Sequence, residues 1–348
     1  MGLDIGTTAV RAAEVSVGSG RATLHKFGQV ALPPGAVRDG EIVNADAVTI
    51  AVRQLWHTVK FGSKNVVLGV ANQRVVVRQV DLPWMPDKEL RKSLAFQVGD
   101  LIPMPVDEAV LDIHPIEEVV ADDGRRMLRV MLVAAGKEMV RLAVDAVTKA
   151  GLHPVAVDLT PFAVLRSLGG GGGVLGLDTE SEAIIDVGAH VTNIVIHQNA
   201  VPQFVRVLLL GGDDLTDQIA ERLGVDATTA EGTKATLSLA ADPAQADSHP
   251  AQRALEAGAG QWVDEVRQSL EYHVSQTGVR IRRIVLTGGG SQLGGLAQRL
   301  ATSARLPVVV ASPLAGIQLG RTGLEPEQLA SVQARMAVPV GLALGRAS

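Results

Sequence analysis

Residues 2–15 read GLDIGTTAVRAAEV, and residues 183–197 read AIIDVGAHVTNIVIH. Each is an apolar strand, a tight Asp-x-Gly turn and a second apolar strand. Leu3-Asp4-Ile5-Gly6 recurs as Ile185-Asp186-Val187-Gly188. One such unit in each half of a 348-residue chain predicts two related lobes. A domain of roughly 100–200 residues predicts the same number.

The turns suit a nucleotide. A glycine has no Cβ, so backbone N–H groups approach a phosphate closely at Gly6 and Gly188. Thr7 and Thr8 add hydroxyl donors. Asp4 and Asp186, facing one cleft, are the candidate catalytic and metal-facing residues: two carboxylates hold a hydrated Mg²⁺ that neutralises phosphate charge. One Asp-x-Gly copy alone is better read as a plain hairpin turn. The second copy and a third motif favour a site. That motif is IVLTGGGS at 284–291, where a strand delivers Gly288, Gly289, Gly290 and Ser291 as a shelf for adenine and ribose.

Other motifs are set aside. GxxxxGK[ST] is absent. Gly171, Gly173 and Gly176 make a formal GxGxxG inside a run of five glycines at 169–173, but it follows a helical segment instead of a strand and reads as a flexible loop. The eight histidines have no metal-ligand spacing, and His190 and His197 read as structural or surface residues.

A net charge of −5 argues against a nucleic-acid partner, and the lack of cysteine excludes disulfides and thiolate metal sites. There is no secretory signal pattern at the start and no apolar run of the roughly 18 residues a bilayer span needs. The expectation is a soluble cytoplasmic α/β protein.

Between the two repeats, residues 75–160 change pattern. A strand at 75–82 precedes a helix opened by Pro86 and Asp87, with Asp87 as N-cap and Leu90, Leu94, Val98, Leu101 and Ile102 as its apolar face. Strands at 110–119 and 128–135 meet at the Asp123-Gly124 turn; a helix at 138–150 and a strand at 155–159 follow. The order β-α-β-β-α-β predicts a compact α+β insertion. Further on, 214–224 and 227–240 read as helices, 242–260 as a surface connection and 261–277 as a long helix.

Taken in order, these motifs resemble a known set. GLDIGTT resembles the phosphate-1 motif of the actin, hexokinase and heat-shock-chaperone ATPase superfamily, IIDVGAHVTNIVI its phosphate-2 motif and VLTGGGS its adenosine motif. Leu210-Gly211-Gly212-Asp213-Asp214 looks like the chaperones' later phosphate-side glycine pair. Glu231 and Lys234 stand at the i, i+3 spacing that holds the ribose there, although the same spacing makes an ordinary solvated helix pair. Val338–Gly345 resembles the connect-2 helix. The stretches KELRKSLAFQVGDLIPMPVDEAVLDIHPI at 88–116 and MLVAAGKEMVRLAVDAVTKAGLHPVAVDLTPFAVLRSL at 131–168 are similar to the PilM family of type IV pilus assembly proteins.

This resemblance implies a two-lobed actin-like ATPase fold of duplicated ribonuclease-H-like domains, with an FtsA-like α+β subdomain inserted in the first lobe. It implies a first lobe of residues 1–74, 161–182 and 336–348, an insertion at 75–160, and a second lobe at 183–335 with a helical subdomain near 227–280. It implies ATP and Mg²⁺ as ligands and a PilN-like inner-membrane protein, bound by its N-terminal cytoplasmic peptide, as partner. Other pilus assembly proteins join that complex, and the membrane is reached only through the partner, from its cytoplasmic side. Departures matter too. Thr160 stands before Pro161 where relatives often have glutamate, which implies slow hydrolysis; Gln97 and Gly99 replace acidic residues, and the chain starts abruptly at its first strand. Two alternatives are an FtsA-like filament former and a sugar-kinase-type phosphotransferase. The first uses an amphipathic membrane helix, but VPVGLALGRAS at 338–348 has no basic face. The second needs a catalytic carboxylate serving a substrate pocket for the phosphate acceptor, and neither is identified for that role.

Overall fold

The computed structural model describes residues 1–18, 20–169, 181–240 and 249–345. The first lobe opens with β1 (Gly2–Ile5), β2 (Ala9–Gly18) and β3 (Arg21–Ala31), a small hairpin of β4 (Val37–Arg38) and β5 (Glu41–Ile42), helix α1 (Ala45–Val59) and strand β6 (Asn65–Val70). The Asn44 side chain caps α1 by accepting from the Ala47 N–H. The insertion supplies β7 (Val76–Pro83), α2 (Asp87–Gln97), β8 (Ala109–Val120) and β9 (Arg126–Gly136). Then come α3 (Lys137–Lys149), β10 (His153–Leu159) and α4 (Thr160–Gly169). The second lobe contains β11 (Ser181–Val187), β12 (Thr192–Gln198), β13 (Val201–Leu208), α5 (Gly212–Leu223), α6 (Ala227–Thr236), α7 (Pro250–Thr277), β14 (Ile281–Thr287), α8 (Leu296–Ala304) and β15 (Val308–Val310). Last are β16 (Gln318–Leu319), α9 (Pro326–Val332) and α10 (Ala337–Leu344).

The two large sheets share one topology, which is the repeat made visible. One has the order β10-β6-β1-β2-β3-β16 and the other β13-β12-β11-β14-β15. In each, the first three strands form an antiparallel meander, and the next two run parallel to the first. β11 is buried along its whole length, as a central strand covered on both faces must be. Helices α4 and α10 lie between the sheets, where Val164, Leu165, Val338 and Leu342 pack with Val67, Ile184 and Val285. α10 packs very closely: a Cβ at Gly2 would stand 2.0 Å from the Pro339 carbonyl oxygen, and one at Gly341 1.7 Å from that of Ala163.

The insertion is smaller than the 75–160 expected. Its sheet is β7-β9-β8, with Leu90, Leu94 and Val98 packed on Ile113, Val130 and Leu132. β10 pairs with β6 in the first-lobe sheet, and Met139, Ala143, Ala146 and Val147 of α3 join the first-lobe core. Asp87 is the first residue of α2, not its cap; Pro86 takes the cap position, and Asp87 bonds Arg91 one turn on. The chain also returns to the first lobe earlier than residue 336. β16 pairs with β3, and Leu314, Ile317, Leu324 and Leu329 pack with Leu24, Phe27, Met336 and Val340.

The expected surface connection at 242–260 is helical from residue 250 onward. Pro250 opens α7 in the position its fixed φ favours. Ala251, Leu255 and Ala259 pack on Leu215 and Ile219 of α5, whereas Trp262, Val263, Val266 and Leu270 pack on the second-lobe sheet. One helix thus serves both the helical subdomain and the sheet. Beyond Gly169, which closes α4, the glycine run and its GxGxxG spacing lie outside the described residues. Among the described residues, no helix is long and apolar enough to cross a membrane.

Candidate functional site

Between the lobes is a cleft of about 1440 Å³. Both Asp-x-Gly turns meet it and are closed in the same way. Gly6 N–H donates to the Ala9 carbonyl at 3.0 Å, and Gly188 N–H to that of Val191 at 2.9 Å. Thr7, Thr8, Ala189 and His190, the residues inside these turns, line the cleft. A Cβ at Gly188 would stand 2.6 Å from the Val191 oxygen, so the turn needs glycine there.

The two aspartates lie on opposite cleft walls, each facing a cross-strand partner seven residues on. Asp4 is opposite Arg11, whose Nη1 is 3.4 Å from Asp4 Oδ2. Asp186 is opposite Asn193, whose Nδ2 donates to Asp186 Oδ2 at 3.2 Å. The first repeat therefore neutralises its carboxylate, and the second only hydrogen-bonds it. Burial raises the Asp4 pKa against the pull of Arg11. Burial pushes the Asp186 pKa up to about 6; the Asn193 bond opposes this, the Asp4 charge adds to it, and Arg11 lowers it.

Two oxygens beside Asp186 are buried without a hydrogen-bond partner, Asn193 Oδ1 and Thr287 Oγ1. Thr287 is the strand neighbour of Asp186 on β14. A Cβ at Gly288 would stand 2.7 Å from Asp186 Oδ1, so the glycine keeps the space before this carboxylate open. Buried orphan oxygens call for a ligand or water. Two carboxylates and two oxygen acceptors are a hard-cation donor set. Among the described residues, no three His, Cys, Asp or Glu side chains are placed to ligate a metal directly. The Asp4 and Asp186 carboxylates, with these oxygens, fit a hydrated cation.

The glycine pair 211–212 is placed differently from expectation. Gly212 N–H donates to the Gly188 carbonyl at 3.0 Å and Asp213 N–H to that of Ala189 at 2.6 Å. These N–H groups brace the second turn and are not free for phosphate. Gly212 lines the cleft, but Gly211 does not; its N–H bonds Asp214 Oδ2 at 2.7 Å to cap α5. Glu231 and Lys234 do meet the cleft, and they are more than a solvated pair. They bond at 2.6 Å, and the Lys234 side chain is only 13% exposed. Lys234 Nζ also donates to the Gly212 carbonyl at 2.7 Å and Thr216 Oγ1 at 2.6 Å, and Thr216 donates to Glu231 at 2.5 Å. Burial works to raise the Glu231 pKa, and the bonds from Lys234 and Thr216 overcome it and lower the pKa.

The third glycine turn follows β14. Gly288 has φ +87°, and Gly288, Gly289 and Gly290 line the cleft. Ser291 is off the cleft wall; it is buried and donates to the Gly288 carbonyl at 2.7 Å, pinning the turn from behind. Thr160, in the expected carboxylate position, is buried on the cleft wall.

Sequence reading missed several members. Arg11 and Asn193 were within reach, because hairpin register places residue i+7 opposite each aspartate. His190, expected to be structural or at the surface, lines the cleft and stands 2.9 Å from Asp39 Oδ1, at the β4–β5 turn of the other lobe. Arg335 also lines the cleft, and no motif pointed to it. His197 is buried away from the cleft, its pKa pushed down to about 4 by burial and Arg283.

The family described as "Type IV pilus assembly protein PilM" matches residues 2–347. The chain belongs to this PilM family. It is similar to a chain in the solved structure titled "PilM-PilN type IV pilus biogenesis complex", with 29% identity, a TM-score of 0.86, and 100% of this chain and 98% of that one covered. The ethanolamine utilization protein EutJ from Carboxydothermus hydrogenoformans is 14% identical with a TM-score of 0.56, over 99% of this chain and 88% of that one. MreB5 of Spiroplasma citri bound to ADP is 12% identical with a TM-score of 0.51, over 100% and 98%. These two share the fold, and the expected two-lobed actin-like architecture is thereby found. The cell division protein FtsA of Bacillus subtilis (strain 168) is 24% identical over 260 residues, 68% of this chain and 57% of that protein. The PilM-family chain thus spans little more than half the length of this curated relative.

Proposed function

We propose that this PilM-family chain is an ATP-binding scaffold of type IV pilus assembly. In this reading it works at the cytoplasmic face of the inner membrane and captures the N-terminal cytoplasmic peptide of a PilN-like membrane protein. The observation that carries the reading is the likeness, along the whole chain, to a chain of a PilM-PilN complex.

The cleft supports the nucleotide. The turns at Gly6–Thr8 and Gly188–His190 cradle phosphates, Glu231 and Lys234 take the ribose, and Gly288–Gly290 form the adenosine shelf. Bound Mg²⁺ would neutralise phosphate charge, with Asp4 and Asp186 holding its water shell. Asn193 orients Asp186, and Arg11 screens Asp4. Thr160 has no carboxylate to orient an attacking water, which fits a nucleotide that stabilises a conformation more than it is consumed.

For the peptide, the insertion offers an edge. β9 is the middle strand of its sheet and β8 an outer one. An outer strand edge accepts an extended chain by hydrogen bonding. The test is calorimetry with two titrants, Mg–ATP and a PilN-like N-terminal peptide. Saturable binding of both is expected. Failure to bind ATP at millimolar ATP and Mg²⁺ overturns the nucleotide reading; failure to bind the peptide with ATP present overturns the scaffold reading.

A further inference from the structure

Arg335 ends a short 3₁₀ turn, Gln333–Arg335, directly before α10. It is exposed and lines the interlobe cleft. Among the described residues its side chain has no hydrogen bond or contact ion pair, unlike Arg11, which also lines the cleft and is paired with Asp4. A Cβ at Gly289 would stand 3.5 Å from Arg335 Nε and 3.7 Å from its Cγ, an ordinary packing distance. The side chain therefore lies beside the bare backbone of the glycine shelf.

The two faces of the shelf meet different chemistries. Cβ positions at Gly288 and Gly290 face the strand that carries Asp186, meeting Asp186 Oδ1 at 2.7 Å and Val187 Cγ1 at 2.5 Å, whereas that of Gly289 faces Arg335. Arg335 is also felt by Glu231, on the ribose side, whereas Asp186 feels Arg11. A guanidinium beside a flat shelf, on the face that Gly289 presents, is placed to stack on a π-face, and its planar form suits that contact.

We propose that the Arg335 guanidinium, seated against Gly289, stacks on the face of a nucleotide base whose edge meets the Gly288–Gly290 shelf; shelf and guanidinium together clamp the base. This deepens the nucleotide reading above and rests on it. The shelf belongs to the second lobe, and Arg335 belongs to the segment that carries the chain back into α10 and the first lobe. The base then joins the lobes at a point distinct from the phosphates.

The test is calorimetry on wild type, Arg335→Ala and Arg335→Lys, with Mg–ATP and with Mg–tripolyphosphate, which has no base. Arg335→Ala should weaken Mg–ATP roughly 3- to 30-fold, the range of a cation–π contact, and leave tripolyphosphate unchanged. Arg335→Lys should recover part of the loss. Melting temperatures should match, since the residue is exposed. Unchanged ATP affinity in Arg335→Ala overturns the clamp while the nucleotide site stands. An equal loss for both ligands makes Arg335 a phosphate contact and also overturns the clamp. Wild type binding neither ligand overturns the nucleotide reading itself.

Discussion

Asn193 holds Asp186 in the same register in which Arg11 holds Asp4, so the two repeats differ at one equivalent position by a full positive charge. Asp186 is left as a buried carboxylate whose pKa rises from 3.8 to about 6. Its folded pKa lies above its unfolded one, so the folded state binds the proton more tightly. The associated stability is fully present below about pH 4 and is lost as pH rises through about 6. Asp186→Asn, which cannot ionise, should raise stability above pH 6 by on the order of 1–3 kcal/mol and change it little at pH 4. The same variant should lose Mg²⁺-dependent ATP binding. Thermal melts from pH 4 to 8 with calorimetry at pH 7.5 check both; a variant less stable than wild type at pH 8 would contradict the burial argument.

Two glycines near the cleft should respond oppositely to alanine. Gly288 has φ +87°, and a Cβ would stand 2.4 Å from the Val187 carbonyl oxygen. Gly288→Ala should cost on the order of 2–4 kcal/mol and abolish ATP binding. Gly232 is an exposed residue inside α6 with nothing within 4 Å of its Cβ position. Gly232→Ala should stabilise by about 0.5–1 kcal/mol and leave ATP affinity intact. Urea midpoints for the pair decide the matter.

Hydrolysis should be slow. Typical enzymes turn over at about 1–10³ s⁻¹, and the pure chain is expected well below that range. Thr160 stands where a water-orienting carboxylate would serve, and a Cβ on the neighbouring Gly69 would already be 3.3 Å from Thr160 Oγ1. Steady-state phosphate release is the measurement. A rate within the usual range, unchanged in Thr160→Ala, would show that another residue performs this role.

The insertion should be removable as residues 76–136, not 75–160. Val76 pairs with Ala134, so the two ends of the excised segment are neighbours that a short linker joins. The 76–136 deletion should keep Mg–ATP binding and lose the PilN-like peptide. The longer deletion removes α3 and β10 from the first-lobe core and should not fold. Equal peptide affinity in wild type and the 76–136 deletion would move the peptide site elsewhere.

The repeat was readable because apolar strands flank turns that need glycine, two constraints that act locally. The cleft residues on those turns followed directly. The insertion's far boundary was harder to see. β10 runs parallel to β6, and a parallel pair needs a crossover, usually helical. α3 is that crossover and the insertion interrupts it, so α3 and β10 follow the insertion in sequence and belong to the lobe in space. The start of α7 hid for another reason: around Leu255 its buried face is made of Ala251, Gln252, Gly258 and Ala259. A Cβ at Gly258 would stand 2.6 Å from Leu215 Cδ2, a close approach that hydropathy does not register. β16 depends on pairing with β3, nearly the whole chain away, and Arg335 on packing beside Gly289 from a separate segment; no local pattern encodes either.

The tight seat of α10 on β1 has a bearing on synthesis. The second-lobe sheet is complete in sequence once β15 ends at Val310, so that lobe can condense while the chain is still being made. β1, made before all of these elements, must wait for residues 337–344 before its covering helix exists. At about 5–20 residues per second, that leaves the apolar face of the first sheet bare for many seconds. A premature stop just ahead of residue 337 would therefore release a chain with one finished lobe and one sticky, unsealed one, a natural substrate for chaperones and proteases.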